Sequence, residues 1–391
     1  MKSVKNVYEK IIEYDNIKKA FHEAAKKKTE RRDVKKIFEN LDYHVKKVQE
    51  MLINTAPDDT PVPDRSKAFV PIKHKQVMIN ENSSKKVRKI AKPVYRYEQV
   101  IQHAIMQVIS PVMTSGMYEF SCGSIPNRGA HYGKKYIEKW IKNDQRNVKY
   151  IAKMDIRHFY ESIDQVILKK WLWKKIKDRR AIYLLFIIID SCDEGLPLGY
   201  YTSQWFANFL LQPLDHYIKE KLHVKHYIRY LDDMVIFGSN KKQLHAVRAE
   251  IERLLRGSYH LEMKGNWQVF RFDYINKKDG KRKGRPLDFM GFQFYRDKTI
   301  IRRSIMLRAT RKAARVGKKE KITWYDASGI LSYMGWIDHT DAYAMYCKYI
   351  KSNVNIQEMK RIMRRHSRKE KKKHDRMENS VRNTNGKTER T

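Results

Sequence analysis

The segment HYIRYLDDMVIFGS, residues 226–239, sets two β-prone apolar runs end to end with two carboxylates at their junction. Tyr, Ile, Val and Phe suit a pleated, half-buried surface, and each run has the length of a short strand. Neighbouring side chains on a strand point to opposite faces, so an uninterrupted strand keeps Asp232 and Asp233 apart. A tight hairpin turn at the two acids brings both toward one place. The pattern therefore predicts an antiparallel pair that turns at the aspartates. The like charges repel, and Arg229 is the one basic residue near them in sequence. A solvated Asp-Asp turn is the plain alternative. Tyr-x-Asp-Asp alone arises by chance in roughly 5% of chains this long, so its meaning rests on what accompanies it.

The charge balance sharpens the question. The chain carries 83 Lys and Arg against 44 Asp and Glu, a formal net charge of +39 over 391 residues. Such an excess favours a polyanionic partner, because phosphate contacts release counterions. Aromatic residues, at 12%, supply stacking faces for bases and favour nucleic acid over a membrane surface. At 41% hydrophobic residues the chain can build a core, and its length suits two or three domains. Cys122, Cys192 and Cys347 are isolated, odd in number and without zinc-site spacing, which fits a reducing cytoplasm. The first residues lack a signal-peptide apolar region, and no window approaches 18 apolar residues. No secretion and no membrane span are expected.

Along the chain, residues 1–75 are expected to form a helical N-terminal extension, broken by the basic KKKTERRD at 26–33 and closed by a proline-rich loop at 56–73. KKVRKIAKP, 85–93, reads as an extended basic segment. YEQVIQHAIMQVISPVM returns to helical spacing, and IPNRGAHYG, 125–133, turns into another helix. YIAKMDIRHFY, from 150, reads as a strand, followed by a helical stretch at 164–190. A helix at 202–222 has Thr202 or Ser203 as its cap. KKQLHAVRAEIERLLR follows the hairpin as an amphipathic helix. The fold class expected is α+β, with helices on one face of an antiparallel sheet. This α+β body spans 76–300, a helical region with an apolar face spans 301–365, and 366–391 is a basic, core-free tail expected to be disordered.

A third carboxylate completes the candidate site. Asp155, at the end of a predicted strand, is the best placed. Hard carboxylate oxygens suit Mg²⁺, which keeps waters and bridges to phosphates. Two such ions about 3.5–4 Å apart activate a 3′-hydroxyl and stabilise leaving pyrophosphate. Mn²⁺ can stand in for Mg²⁺.

The set does not end there. IPNRGAHYG, AKMDIRHFY, GLPLGYYTSQWFAN at 195–208, YLDD and LDFMGF at 287–292 occur in one order over about residues 80–300. This ordered set resembles reverse transcriptases of the prokaryotic, group II intron-like class. The resemblance implies a right-hand polymerase, with fingers and palm over 76–300 and a helical thumb over 301–365, in which Asp155, Asp232 and Asp233 hold two metal ions. It further implies that Arg88, Lys89 and Arg128 meet the nucleotide triphosphate, where Arg suits multidentate phosphate contacts. Tyr160 takes the position of the aromatic that excludes a 2′-hydroxyl, Gly291 lies at the primer grip, and Lys264 lies near departing pyrophosphate. Trp205 and Phe206 read as core. His131, His158 and His216 are not read as metal ligands.

Intron and retron enzymes usually carry Gln before the second Gly of this loop, and then Ser-Pro. Here the loop reads Pro197-Leu198-Gly199, followed by Ser203-Gln204. That variant is similar to the enzymes of diversity-generating retroelements, and Leu198 and Gln204 are the positions that carry the likeness. In that branch a template-repeat RNA is copied into error-prone cDNA with a small basic accessory protein, in a bacterial or phage setting. Leu198 packs but neither donates nor accepts a hydrogen bond. One such bond is worth roughly 0.5–1.5 kcal/mol, or about two- to tenfold in discrimination. An intron-derived or phage-defence reverse transcriptase stays open, as does a non-catalytic RNA-binding protein, against which the three intact aspartates argue. No C-x-x-C pair follows 300, so no zinc-type endonuclease module is expected there.

Overall fold

In the computed structural model, residues 3–72, 76–81, 86–370 and 372 are described. They divide into two compact units, residues 1–132 with 149–269, and residues 133–148 with 270–391.

The first unit opens with four helices, α1 (Tyr8–Ile12), α2 (Tyr14–Ala25), α3 (Arg32–Glu39) and α4 (Leu41–Ile53). Their apolar faces, with Ile17, Phe21, Val45 and Val48 fully buried, share one core with the residues that follow. The basic segment expected to be extended forms a hairpin, β1 (Gln76–Glu81) with β2 (Lys86–Ala91), in which Met78 faces Lys89 and Gln76 faces Ala91. Helix α5 (Val100–Thr114) follows, and α6 (Ala130–Asn143) carries the chain toward the second unit. The stretch expected to run as a strand from 150 does so only to Asp155, as β3 (Tyr150–Asp155). His158, at φ 44°, bends the chain away.

The helical stretch at 164–190 is two helices, α7 (Gln165–Lys175) and α8 (Arg179–Asp190). Asp178 causes the break. Its carboxylate accepts from Ala181 N as the cap of α8, and also from Val7 N and Tyr8 N at 2.8 Å each. The next helix, α9 (Tyr201–Glu220), is not capped by Thr202 or Ser203. Both lie inside it, with the Ser203 hydroxyl on Pro197 O at 2.8 Å. Gln102 Oε1 of α5 accepts from Tyr201 N instead, at 2.8 Å, satisfying an amide that a cap would otherwise take. Trp205 and Phe206 are buried, as expected.

The hairpin comes next, β4 (His226–Tyr230) and β5 (Asp233–Gly238), and then α10 (Lys241–Tyr259), capped by Asn240. β5 lies between β4 and β3, antiparallel to both, and α10 packs on β3 and β5. β6 (Gln268–Arg271) follows α10 in the chain, at the boundary between the two units. The helix-on-antiparallel-sheet class expected from the sequence is the class observed.

The second unit holds short strand pairs, β7 (Tyr274–Ile275) with β8 (Arg282–Lys283), then β9 (Leu287–Phe289), β10 (Phe292–Phe294) and β11 (Thr299–Ile301), followed by α11 (Arg303–Gly317) and α12 (Trp324–Ile337). A separate core gathers Met306, Ala313, Ile330, Met334 and Met359. Helix 356–370 runs through the first five residues of the expected tail. Asn355 accepts from Gln357 N and Glu358 N at its start, and His366 stacks on Trp324 at 4.4 Å between ring centroids. Apart from Lys372, the rest of the expected tail lies outside the described residues.

β9 and β10 are joined by Met290 and Gly291, both in the left-handed region, the two-residue turn that matches strand twist. A Cβ on Gly291 would sit 2.8 Å from the Trp336 ring. Gly291→Ala should therefore destabilise the chain by about 1–3 kcal/mol, read as a lower urea midpoint.

Candidate active site

Asp155 ends β3 and Asp233 begins β5, and the two are direct partners across the antiparallel pair. Directly opposed residues share a face of the sheet. Asp232 is not on a strand. With Leu231 it forms the two-residue turn between Tyr230 and Asp233, so strand alternation does not separate it from its neighbour. The Asp232 carbonyl accepts from Ile156 N at 3.4 Å, which ties the turn to the end of β3.

Leu231 occupies the left-handed region, at φ 56°, where an L-residue costs about 1–2 kcal/mol. The chain holds it there from below. Arg229, fully buried, donates from Nη1 to Leu231 O at 3.0 Å and to Asn208 Oδ1 at 3.1 Å. Its Nε and Nη2 reach the two carboxylate oxygens of fully buried Asp215, at 2.8 and 2.5 Å. Tyr227 O–H donates to Asp215 as well, at 2.8 Å. Asn208 donates to Gly123 O at 2.7 Å. Gly123 must be glycine, since a Cβ there would lie 2.5 Å from Leu231 Cγ. This support went unread in the sequence. Its visible trace was Arg229, a charged residue in an apolar strand run.

The electrostatics are those of crowded anions. Burial, and then the neighbouring Asp155 and Asp233 carboxylates, push the Asp232 carboxyl up to about 7. Asp155 Oδ1 is buried with no hydrogen-bond partner among the described residues. Lys264 forms an ion pair with Asp155 Oδ2, and its N–H donates to Asp155 O at 2.8 Å. An isolated bridge between Ile156 and Met263 brings Lys264 alongside. Among the described residues no three His, Cys, Asp or Glu side chains are close enough to hold a metal ion by themselves. The orphaned Asp155 oxygen and the repulsion on Asp232 nevertheless fit a hard divalent cation whose remaining positions go to water and phosphate.

A cavity of about 610 Å³ brings Lys89, Leu198, Met78 and Val87 together with His158 and Glu161. Leu198 is half-buried, and its carbonyl accepts from Ala91 N at 2.8 Å. Gly199, at φ 108°, leaves only 2.1 Å between the position of a Cβ and Ala91 O. The β1–β2 hairpin is thus seated on the 195–199 loop. Tyr160, half-buried, accepts from Leu196 N through its carbonyl at 2.7 Å, which fixes it to the same loop. Gln204 is exposed on the first turn of α9. Arg88 lies in β2 opposite Ile79. Arg128 is half-buried and donates to Tyr118 O at 3.0 Å, so it braces its own loop. Gly291 belongs to the second unit, where Trp336 and the positive φ account for the glycine.

Two measurements test this geometry. Arg229→Leu or Asp215→Leu leaves a buried charge unpaired and should cost about 3–5 kcal/mol in urea unfolding, with the double variant recovering part of the loss. A carboxyl whose folded pKa is raised binds more protons folded than unfolded. Stability contributed by Asp232 is therefore present at acid pH and is lost as pH rises from the ordinary value of 3.8 to about 7. Asp232→Asn should melt higher than wild type at pH 8 without divalent metal, with the gap closing toward pH 4.

Residues 66–294 match the family model described as Reverse transcriptase (RNA-dependent DNA polymerase). The chain is 24% identical over 160 residues to the Group II intron-encoded protein LtrA of Lactococcus lactis subsp. cremoris, covering 38% of this chain and 26% of that protein. It is 28% identical over 107 residues to the Retron Ec73 reverse transcriptase of Escherichia coli, covering 24% of this chain and 34% of that one. It spans about a quarter to a third of the length of these curated relatives. Among solved structures, apo telomerase from Candida tropicalis is similar with a TM-score of 0.47 at 11% identity, over 74% of this chain and 61% of that one. Among the described residues no helix is long and apolar enough to cross a membrane. Since the family model spans more than half of the sequence, with the aspartate hairpin and the cavity loop inside it, this chain belongs to the reverse transcriptase family.

Proposed function

We propose that the chain is an RNA-directed DNA polymerase, and specifically the error-prone enzyme of a diversity-generating retroelement, copying a template-repeat RNA into cDNA for mutagenic retrohoming. The observation that carries the branch assignment is Leu198. It lines the cavity beside Lys89 in a Pro-Leu-Gly loop followed by Ser203-Gln204, and offers that cavity no polar side-chain group.

Asp155, Asp232 and Asp233 would hold the divalent metal, Mg²⁺ or Mn²⁺. Two bound ions supply the charge that activates a primer 3′-hydroxyl and stabilises the leaving pyrophosphate. The chain's own residues do the rest. Lys264, paired with Asp155, is assigned to the departing pyrophosphate. Arg88, Lys89 and Arg128 are assigned to the triphosphate, with Lys89 on the cavity wall. Tyr160, fixed to the cavity loop, limits room at the sugar, and Gln204 is assigned to the nucleotide side of α9. Gly291 serves the primer grip through the backbone of its turn. Residues 1–75 act as an extension, 76–300 as fingers and palm, 301–365 as thumb, and 366–391 as a basic arm. Template RNA, DNA primer, dNTPs and a small basic accessory protein are the partners, in a bacterial cytoplasm.

The curated relatives are an intron-encoded protein and a retron enzyme, which favours a second reading as a faithful polymerase of those branches. Primer extension on an RNA template, with the cDNA sequenced, separates the two. The retroelement reading expects errors concentrated at template adenines, reduced about two- to tenfold in Leu198→Gln. Accurate copying at adenine assigns the second reading. Asp232→Ala should abolish extension, and extension at the wild-type rate would remove the metal-site assignment.

A further inference from the structure

Residues 166–180 read VILKKWLWKKIKDRR, with seven basic residues and one acidic. Four of the seven are engaged within the fold. Lys169 pairs with Asp190, and Lys175 is buried. Arg179 pairs with Asp59, and Arg180 donates to Ile53 O at 2.7 Å while lying over the Tyr8 ring. The acid, Asp178, is taken up by the amides of Val7, Tyr8 and Ala181. Lys170, Lys174 and Lys177 remain. All three are exposed, and none has a carboxylate partner among the described residues.

Two of these lysines alternate with indoles. Lys174 Nζ lies 4.6 Å from the centroid of Trp171, and Lys177 Nζ lies 5.2 Å from that of Trp173. Trp173 is 46% exposed, although Leu168 and Leu172 of the same helix are buried. Positions 166, 170 and 173 follow helical spacing along one side, and Lys177 follows just past the helix end. A flat aromatic ring beside an ammonium is the pairing that binds single-stranded nucleic acid without regard to sequence. A base stacks on the ring while the cation meets phosphate. An acidic protein would satisfy the lysines and leave the indole unused. A membrane surface would need a broader apolar face than one tryptophan and Val166.

We propose that this face of α7 is a second nucleic-acid site, gripping single-stranded RNA by stacking on Trp173 while Lys170, Lys174 and Lys177 hold its phosphates. It uses none of the residues assigned to catalysis, and it holds for either branch of the family.

The test uses the full chain, first saturated with an unlabelled primer–template duplex. Binding of a labelled oligouridine is then followed by fluorescence anisotropy across a salt series. Trp173→Ala should weaken binding about tenfold, and Trp173→Phe should retain most of it. Lys174→Gln with Lys177→Gln should weaken binding and flatten the log–log salt slope by about 0.7 for each phosphate no longer neutralised. Primer extension on a short duplex should be unchanged in all three. Wild-type affinity in Trp173→Ala overturns the proposal, whatever the lysine variant does, because no base then stacks there. Equal competition by polyglutamate overturns it too, in favour of a protein-facing surface.

Discussion

The Arg229–Asp215 pair is the interaction on which the aspartate turn depends. A buried ion pair adds little net stability over well-packed apolar residues, since desolvation offsets most of the attraction. Its value here is geometric. Two of Arg229's nitrogens are fixed by Asp215, and a third is thereby aimed at Leu231 O and Asn208 Oδ1. A strained residue at the first turn position is held by a hydrogen bond from beneath and by contact with Gly123 from the side. The carboxylates stand on a turn whose shape is set by groups that never reach solvent.

The hairpin concentrates negative charge in a chain with a net charge of +39. Asp155 and Asp233 face each other across the sheet, Asp232 sits beside both, and Lys264 is the cation the chain itself provides. That balance is partial, because Asp155 Oδ1 remains without a partner among the described residues and Asp232 stays protonated more readily than an ordinary aspartate. Such a site is poised to take up positive charge from outside.

Much of this was legible in the sequence, for identifiable reasons. Period-two runs with acids at their junction define a hairpin, and Asp155 at the end of another apolar run defines its neighbour on the sheet. Local patterns of that kind survive folding. What escaped depends on contacts distant in sequence. Asp178 breaks the 164–190 helix because amides from residues 7 and 8 claim its carboxylate, a partnership across about 170 positions. Gln102 replaces the expected cap at 202–203 in the same way. Asn208 and Asp215, both on α9, and Gly123 converge on Arg229 and Leu231 from two segments distant in sequence, and nothing local marks them. Arg128 shows how residue type and local contact differ. Its type suits phosphate, yet its nearest acceptor is a carbonyl in its own loop.

The seat of the β1–β2 hairpin is built from backbone. Ala91 N bonds to the carbonyl of residue 198, and the close approach beside it is made at Gly199. Neither contact consults the side chain at 198. Two adjacent positions therefore live under different evolutionary rules. Position 199 is locked by architecture, whereas position 198 can exchange one side chain for another of similar size and leave the scaffold as it was. A lineage can retune what the cavity asks of an incoming molecule by single substitutions at 198, without first acquiring compensating changes elsewhere.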